Sequence, residues 1–186
     1  MSAPPDQPST QQGNGGDVAA QIFGQILNQA LGGKSQQATT QQQPTKTNYA
    51  VISTAVAIPQ AFKILFEFSS WQAKGRLLIG PSLAGSPDAG YRLAYTPGGK
   101  YQLLMITEKG SSVIGSVESG ATLEDRRKHS FLWSRTGDGR MKISLDGKLI
   151  IEATDRTLGR SFAGFQLTNQ GGDYIVSSVT VSGGNN

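Results

Sequence analysis

From Asn48 to Gly183 the chain breaks repeatedly into short runs in which apolar and polar residues alternate, each run closed by a turn-forming dipeptide. Phe62, Ile64, Phe66 and Phe68 alternate with Lys63, Leu65 and Glu67; Tyr91, Leu93 and Tyr95 with Arg92 and Ala94; Met141, Ile143 and Leu145 with Lys142 and Ser144. A period of two sends successive side chains to opposite faces of a strand, so each set offers one face to a core and the other to solvent or a groove. Asp146-Gly147 predicts a type I′ hairpin turn, because both central positions of that turn need positive φ. Gly98-Gly99, Lys109-Gly110, Asp138-Gly139 and Gly171-Gly172 mark further reversals.

Eleven strands are predicted, over 49–58, 61–69, 75–82, 89–96, 100–107, 111–118, 129–136, 140–146, 148–154, 161–168 and 173–182. No segment of helical period interrupts them. Turn signals every 8–12 residues are the mark of an all-β sandwich or barrel. Phe66, Trp133, Ile143 and Phe165 are expected in its core.

Residues 1–47 have a different composition. They hold 11 Gln and few large apolar groups, so burial cannot offset the entropy of ordering them, and a flexible arm is expected. Within it Asp17–Leu31 reads DVAAQIFGQILNQAL, between the glycine pairs 15–16 and 32–33. Asp17 suits an N-cap and the second glycine pair a stop, which predicts one short helix over 17–31. Ile22, Phe23, Ile26, Leu27 and Leu31 form its apolar stripe, and Gln21, Gln25, Asn28 and Gln29 its polar face. So short a helix is marginal alone in water and needs a surface. Two destinations stay open: its own sandwich, or a partner, a second copy included. The stripe is the candidate partner-binding surface. Its polar face carries no Lys or Arg, which disfavours insertion into a membrane surface.

Several function classes fall away. With no Cys there is no disulfide, thiolate nucleophile or Cys-ligated metal. A single His, His129, rules out a His-rich metal site within one chain, and no G-x-S-x-G surrounds a serine. His129 is expected at an exposed or half-buried strand start, and the preceding EDRRK run as a solvated connection. The net charge of +4 is mild and scattered, unlike a nucleic-acid face. No apolar run approaches the ~20 residues of a membrane helix. The first residues lack the basic start and apolar stretch of a secretory signal, so the expectation is a cytoplasmic protein or export by a route that reads no such signal.

The order FKILFEF, GRLLIGPSL, AGYRLAY, HSFLWSRTGDGRMKISLDGKLII and FAGFQLTNQGGDYIVSSVTVSG resembles the concanavalin A-like lectin/glucanase sandwich superfamily. Within it the pattern is most similar to the laminin-G-like and 3-keto-disaccharide-hydrolase-like branches. The resemblance covers roughly residues 48–183 and rests on structural motifs. It implies an antiparallel jelly roll of two sheets, one concave, with carbohydrate as the commonest ligand class. The glucanases of this superfamily carry paired carboxylates as ExDxxE or ExDxE on one strand, and this chain has neither motif. Glu67 stands alone on a strand, Glu108 lies at a hairpin, and Glu124-Asp125 lie in the charged run. No catalytic residues are therefore assigned.

A non-catalytic lectin-like binding or interaction module is the expected function, taking saccharide or a protein surface on its concave sheet and tethered to a partner by the N-terminal helix. A self-assembling structural subunit and a saccharide-active hydrolase are the alternatives. A sugar site needs an aromatic platform with polar groups beside it. Trp71, Tyr91, Arg92, Tyr95 and Tyr101 are the candidates, with core and groove both open for Tyr91 and Tyr95. No cofactor is expected. Calcium, common in this fold, would draw on loop oxygens such as those of Asp88, Asn169 and Asp173.

Overall fold

A computed structural model describes residues 49–184 of the chain. The expected arm over 1–47 and its helix over 17–31 lie outside the described residues.

The alternating runs form eleven strands: β1 (Ala50–Ile58), β2 (Phe62–Ser70), β3 (Arg76–Leu83), β4 (Ser86–Thr96), β5 (Lys100–Thr107), β6 (Gly110–Val117), β7 (His129–Arg135), β8 (Arg140–Leu145), β9 (Lys148–Thr154), β10 (Phe162–Gln170) and β11 (Tyr174–Gly183). They match the predicted order throughout. β4 begins three residues before the expected 89, which places Asp88 inside a strand and not in a loop. Asn169, also expected in a loop, belongs to β10.

Two antiparallel sheets result, one of six strands in the order β1-β10-β3-β4-β5-β6 and one of five in the order β11-β2-β7-β8-β9. Register follows from the turns. At the β8–β9 hairpin both Asp146 (φ 49) and Gly147 (φ 81) lie in the left-handed region, as a type I′ turn requires. Leu145 then pairs with Lys148 across it.

Between the sheets the inward-facing sets meet. Phe66 stacks on Phe131 at a centroid distance of 5.0 Å, and Phe68 on Phe131 at 4.9 Å. Phe62 meets Trp133 and Phe162 edge-on, each at 5.8 Å. Phe66, Trp133, Ile143 and Phe165 are all buried, as their alternation predicts. Each large side chain so removed from water contributes on the order of 1.5–3 kcal/mol. Loop residues Leu123 and Leu158 join the same core.

The outer faces differ. On the five-stranded sheet Leu65 and Leu132 lie opposite one another and are 39% and 43% exposed. On the six-stranded sheet Leu78, Ala94 and Leu104 are each 1% exposed, although they point away from the core.

Candidate functional site

Of the five residues expected to contact a saccharide, Tyr91, Tyr95 and Tyr101 are core residues and Arg92 is buried outside that core. Tyr91, Arg92, Tyr95 and Tyr101 are each 2% exposed or less, and in this structure none offers a face to a ligand. The cause is registry. Tyr95 pairs with Tyr101 across the β4–β5 hairpin, and their rings pack against each other at 5.0 Å, facing the opposite sheet.

Their hydroxyls reach the rim. The Tyr95 hydroxyl donates to a Glu124 carboxylate oxygen and accepts the Leu123 N–H at 3.1 Å, and the Tyr101 hydroxyl donates to the Ala121 carbonyl. Burial, with the Glu124 carboxylate beside it, holds the Tyr95 phenol well above its ordinary pKa, so it remains a donor. Tyr91 does similar work at another point, donating to Asp155 Oδ1 at 2.6 Å while the Arg135 guanidinium lies 5.7 Å from its ring centroid.

Arg92 is buried on the far side of the same strand. Nη1 donates to the carbonyls of Pro81 (2.7 Å) and Tyr91 (2.9 Å). Nη2 donates to Ser82 Oγ (2.8 Å), Gln166 Oε1 (2.6 Å) and the Pro87 carbonyl (3.1 Å). Desolvation lowers its pKa to about 10, which leaves it charged at neutral pH.

Trp71 alone among the five stands where a ligand could reach it, 50% exposed just past the end of β2. Three chain segments converge there. The first is the turn after β2, carrying Trp71 and Gln72. The second is the β10–β11 turn, in which the Asn169 amide clasps Gly172, donating to its carbonyl (2.7 Å) and accepting its N–H (2.8 Å). That use of the amide competes with the expected role of Asn169 as a calcium ligand. These two segments approach so closely that a Cβ on Gly75, which has φ +74, would lie 2.2 Å from the Gly172 nitrogen. The third is the run expected to be a solvated connection. Arg126, with φ 66, donates its N–H to the Ser70 carbonyl at 3.2 Å and sets its guanidinium 5.9 Å from the Trp71 ring centroid.

The groove so formed has a volume of ≈ 420 Å³ and is lined by Trp71, Gln72, Arg126, Gly172, Asp173, Tyr174 and Ile175. The Ile175 side chain is half exposed, and burial pushes the Tyr174 phenol up to about 12. An indole, an amide, a carboxylate, a guanidinium and an aliphatic wall therefore surround one cleft.

The run that carries Arg126 is anchored from below. His129 is 5% exposed, contrary to expectation. Its Nδ1 lies 2.7 Å from Asp146 Oδ2 and its Nε2 3.0 Å from Asp125 Oδ1. Burial alone would lower the imidazole pKa, but the two carboxylates outweigh it and the net shift is upward. Asp125 also bonds Arg127 Nε at 2.5 Å, and Lys128 reaches Glu67 at 3.5 Å. Among the described residues no group of three or more His, Cys, Asp or Glu could hold a metal ion. No helix among them is long and apolar enough to cross a membrane.

No protein-family model matches the chain, and no curated protein matches it in sequence. Solved structures do match in fold. A carbohydrate binding module, CBM66 from Bacillus subtilis, is 17% identical with a TM-score of 0.55, over 74% of this chain and 84% of that one. Sheep galectin-11 in complex with glycerol is 13% identical with a TM-score of 0.57, over 70% and 96%. A doubly substituted human galectin-16 is 12% identical with a TM-score of 0.59, over 72% and 95%. The fold is a two-sheet antiparallel jelly roll like theirs. At these identities the likeness speaks for the fold alone.

Arg126, Gln72, Tyr174 and Ile175 were not among the residues that the sequence pointed to. They come from three segments far apart in the chain, and only the position of Trp71 at a strand end gave any signal of the place.

Proposed function

We propose that this protein is a non-catalytic saccharide-binding module whose contact site is the Trp71 groove. The observation that carries the reading is an indole left half exposed in a chain whose other aromatic platform candidates are all buried. The apolar C–H face of a sugar ring stacks on an indole, while its hydroxyls need donors and acceptors at the edge. Gln72, Arg126 and Asp173 supply both kinds around Trp71. The likeness in fold to a carbohydrate binding module and to galectins supports the same ligand class.

Binding, not hydrolysis, fits the carboxylates. Glycoside cleavage needs two carboxyl groups about 5 to 9.5 Å apart across the scissile bond. Among the described residues lining the groove Asp173 is the single acid. Nearby Glu124 and Asp125 are engaged by Tyr95, Arg127 and His129.

The chain has two tryptophans, and Trp133 is fully buried, so ligand-dependent fluorescence reports on Trp71. A glycan array with the full chain should give a restricted set of hits. Titration of those hits should shift or quench the emission, and Trp71→Ala should abolish array signal while leaving stability within about 0.5 kcal/mol. An array without hits, or unchanged binding by Trp71→Ala, would refute the proposal.

A further inference from the structure

Among the described residues no acid holds the Arg126 guanidinium, and in this it differs from the basic residues that follow it. Glu124 takes the Tyr95 hydroxyl, Asp125 bonds Arg127 Nε at 2.5 Å and His129 Nε2 at 3.0 Å, and Lys128 reaches Glu67 at 3.5 Å. The acids nearby are therefore already engaged by its neighbours. Asp173 lines the same groove, yet among the described residues no ion pair and no side-chain hydrogen bond engages Arg126. Its guanidinium meets the Trp71 ring instead, 5.9 Å from the centroid, and the residue is exposed.

A second observation falls on the same residue. Two non-glycine residues among those described have positive φ, Asp146 (49) and Arg126 (66). For Asp146 the type I′ turn demands it. Arg126 lies in the connection between β6 and β7 and lacks the short polar side chain that eases Asn and Asp into the left-handed region. Its N–H bond to the Ser70 carbonyl, at 3.2 Å, pins the conformation. Strain of this kind persists where the surroundings over-determine it, and it gathers at ligand clamps. Here it sets a guanidinium beside the one exposed indole of the chain. Lys74, two residues past Gln72, adds a second cation that no described acid holds.

We propose that the saccharide taken by the Trp71 groove is acidic, and that Arg126 selects it by receiving a carboxylate or a sulfate ester of the sugar on its guanidinium. The inference rests on the groove being the saccharide site. A guanidinium presents its N–H donors as a planar fork, and an oxyanion accepts two of them at once. Held against the indole by cation–π attraction, the fork loses less freedom on binding than a free arginine side chain would. A ring stacked on Trp71 turns its substituents towards the rim of the indole, within reach of a guanidinium 5.9 Å from the centroid. Asp173 sets the orientation. Its carboxylate repels an oxyanion and accepts hydroxyls, so the acidic group faces Arg126 and the hydroxyl edge faces Asp173.

The test is titration of the full chain with matched pairs of glycans: hexuronate oligosaccharides and their methyl esters, and sulfated oligosaccharides and their desulfated forms. Each pair keeps the ring and the linkage and differs in charge. The acidic member of at least one pair should bind about tenfold tighter or more, as a charge-assisted hydrogen bond implies. The pair that shows it identifies the oxyanion. Arg126→Asn, whose side chain is at ease at positive φ, should melt no lower than the wild type and should erase the preference for the acidic member. Arg126→Lys, which keeps the charge and loses the fork, should retain part of it. A merely structural role for Arg126 weakens both members alike, so a preference that survives in Arg126→Asn would overturn the proposal. Equal affinity of the wild type for acidic and neutral members would overturn it too, while the groove itself stands as the saccharide site if Trp71→Ala abolishes that binding. No binding of any member, or binding untouched by Trp71→Ala, sinks both.

Discussion

The outer faces of the two sheets are built from the same alternating strands and meet different environments. The five-stranded sheet carries Lys63, Glu67, Lys142 and Glu152 outward, with a Lys142–Glu152 pair at 3.6 Å, and leaves Leu65 and Leu132 partly in water. The six-stranded sheet turns Leu78, Ala94, Leu104 and Ile106 outward and shields them almost completely. The difference is written in the strands. FKILFEF sets a charge between large apolar residues, whereas LLIG in β3 and LLMI in β5 are unbroken apolar runs. A strand half in water alternates; a strand covered on both faces runs continuously apolar. Such a run says that a strand has two dry faces before it says what dries them.

The contrast rests on a shared core, and breaking the core has the largest expected effect. Phe66→Ala removes a ring stacked on Phe131 and set 6.0 Å from that of Phe68. Loss of transfer energy and the cavity left behind should cost about 3–5 kcal/mol in urea unfolding. A near-neutral variant would mean that the faces of β2 are reversed.

The faces themselves are compared by one substitution on each. Leu104→Ala should cost about 2–5 kcal/mol, the range for a buried leucine. Leu132→Ala, at 43% exposure, should stay within about 0.5 kcal/mol. Equal and small effects would show that the six-stranded sheet is bare in solution.

How much of this was legible depends on the distance in sequence over which a signal acts. Strands and turns are local, and Asp146-Gly147 or the alternation in β2 can be read without knowing the fold. Which face of a strand is inside is a tertiary fact. The β4 sequence YRLAY alternates equally well with the tyrosines in or out, and only pairing with β5 and closure against the opposite sheet put Tyr91 and Tyr95 in the core and Arg92 on the covered face. Arg126 was illegible for a further reason. A charged run such as EDRRKH reads as solvated, and nothing local shows that Tyr95, Tyr101 and His129 tie it down beside Trp71.

The smallest effect concerns the two buried cations, which sharpen the comparison. Arg92 is held by carbonyl, hydroxyl and amide oxygens, and its charge persists across the range in which proteins are handled. His129 is held by two carboxylates, with Arg127 against one of them, and among the described residues no other titratable side chain bonds the imidazole. Only an imidazolium can donate from both nitrogens at once; a neutral ring leaves one nitrogen lone pair facing a carboxylate oxygen. Because the folded pKa lies above the ordinary ~6.5, the contribution of His129 is complete below that value and is lost as pH rises through the raised one. The carboxylates work in the other direction. Asp125 and Asp146 are held below their ordinary pKa, so their share is present above ~4 and is lost on acidification. The gap in melting temperature between the wild type and His129→Asn should therefore be widest near pH 5–6 and narrow towards pH 8.5 and towards pH 3. A gap that stays constant from pH 5 to pH 8.5 would mean that His129 is neutral in the fold and that one of the two contacts is made through a water or by a rotated carboxylate.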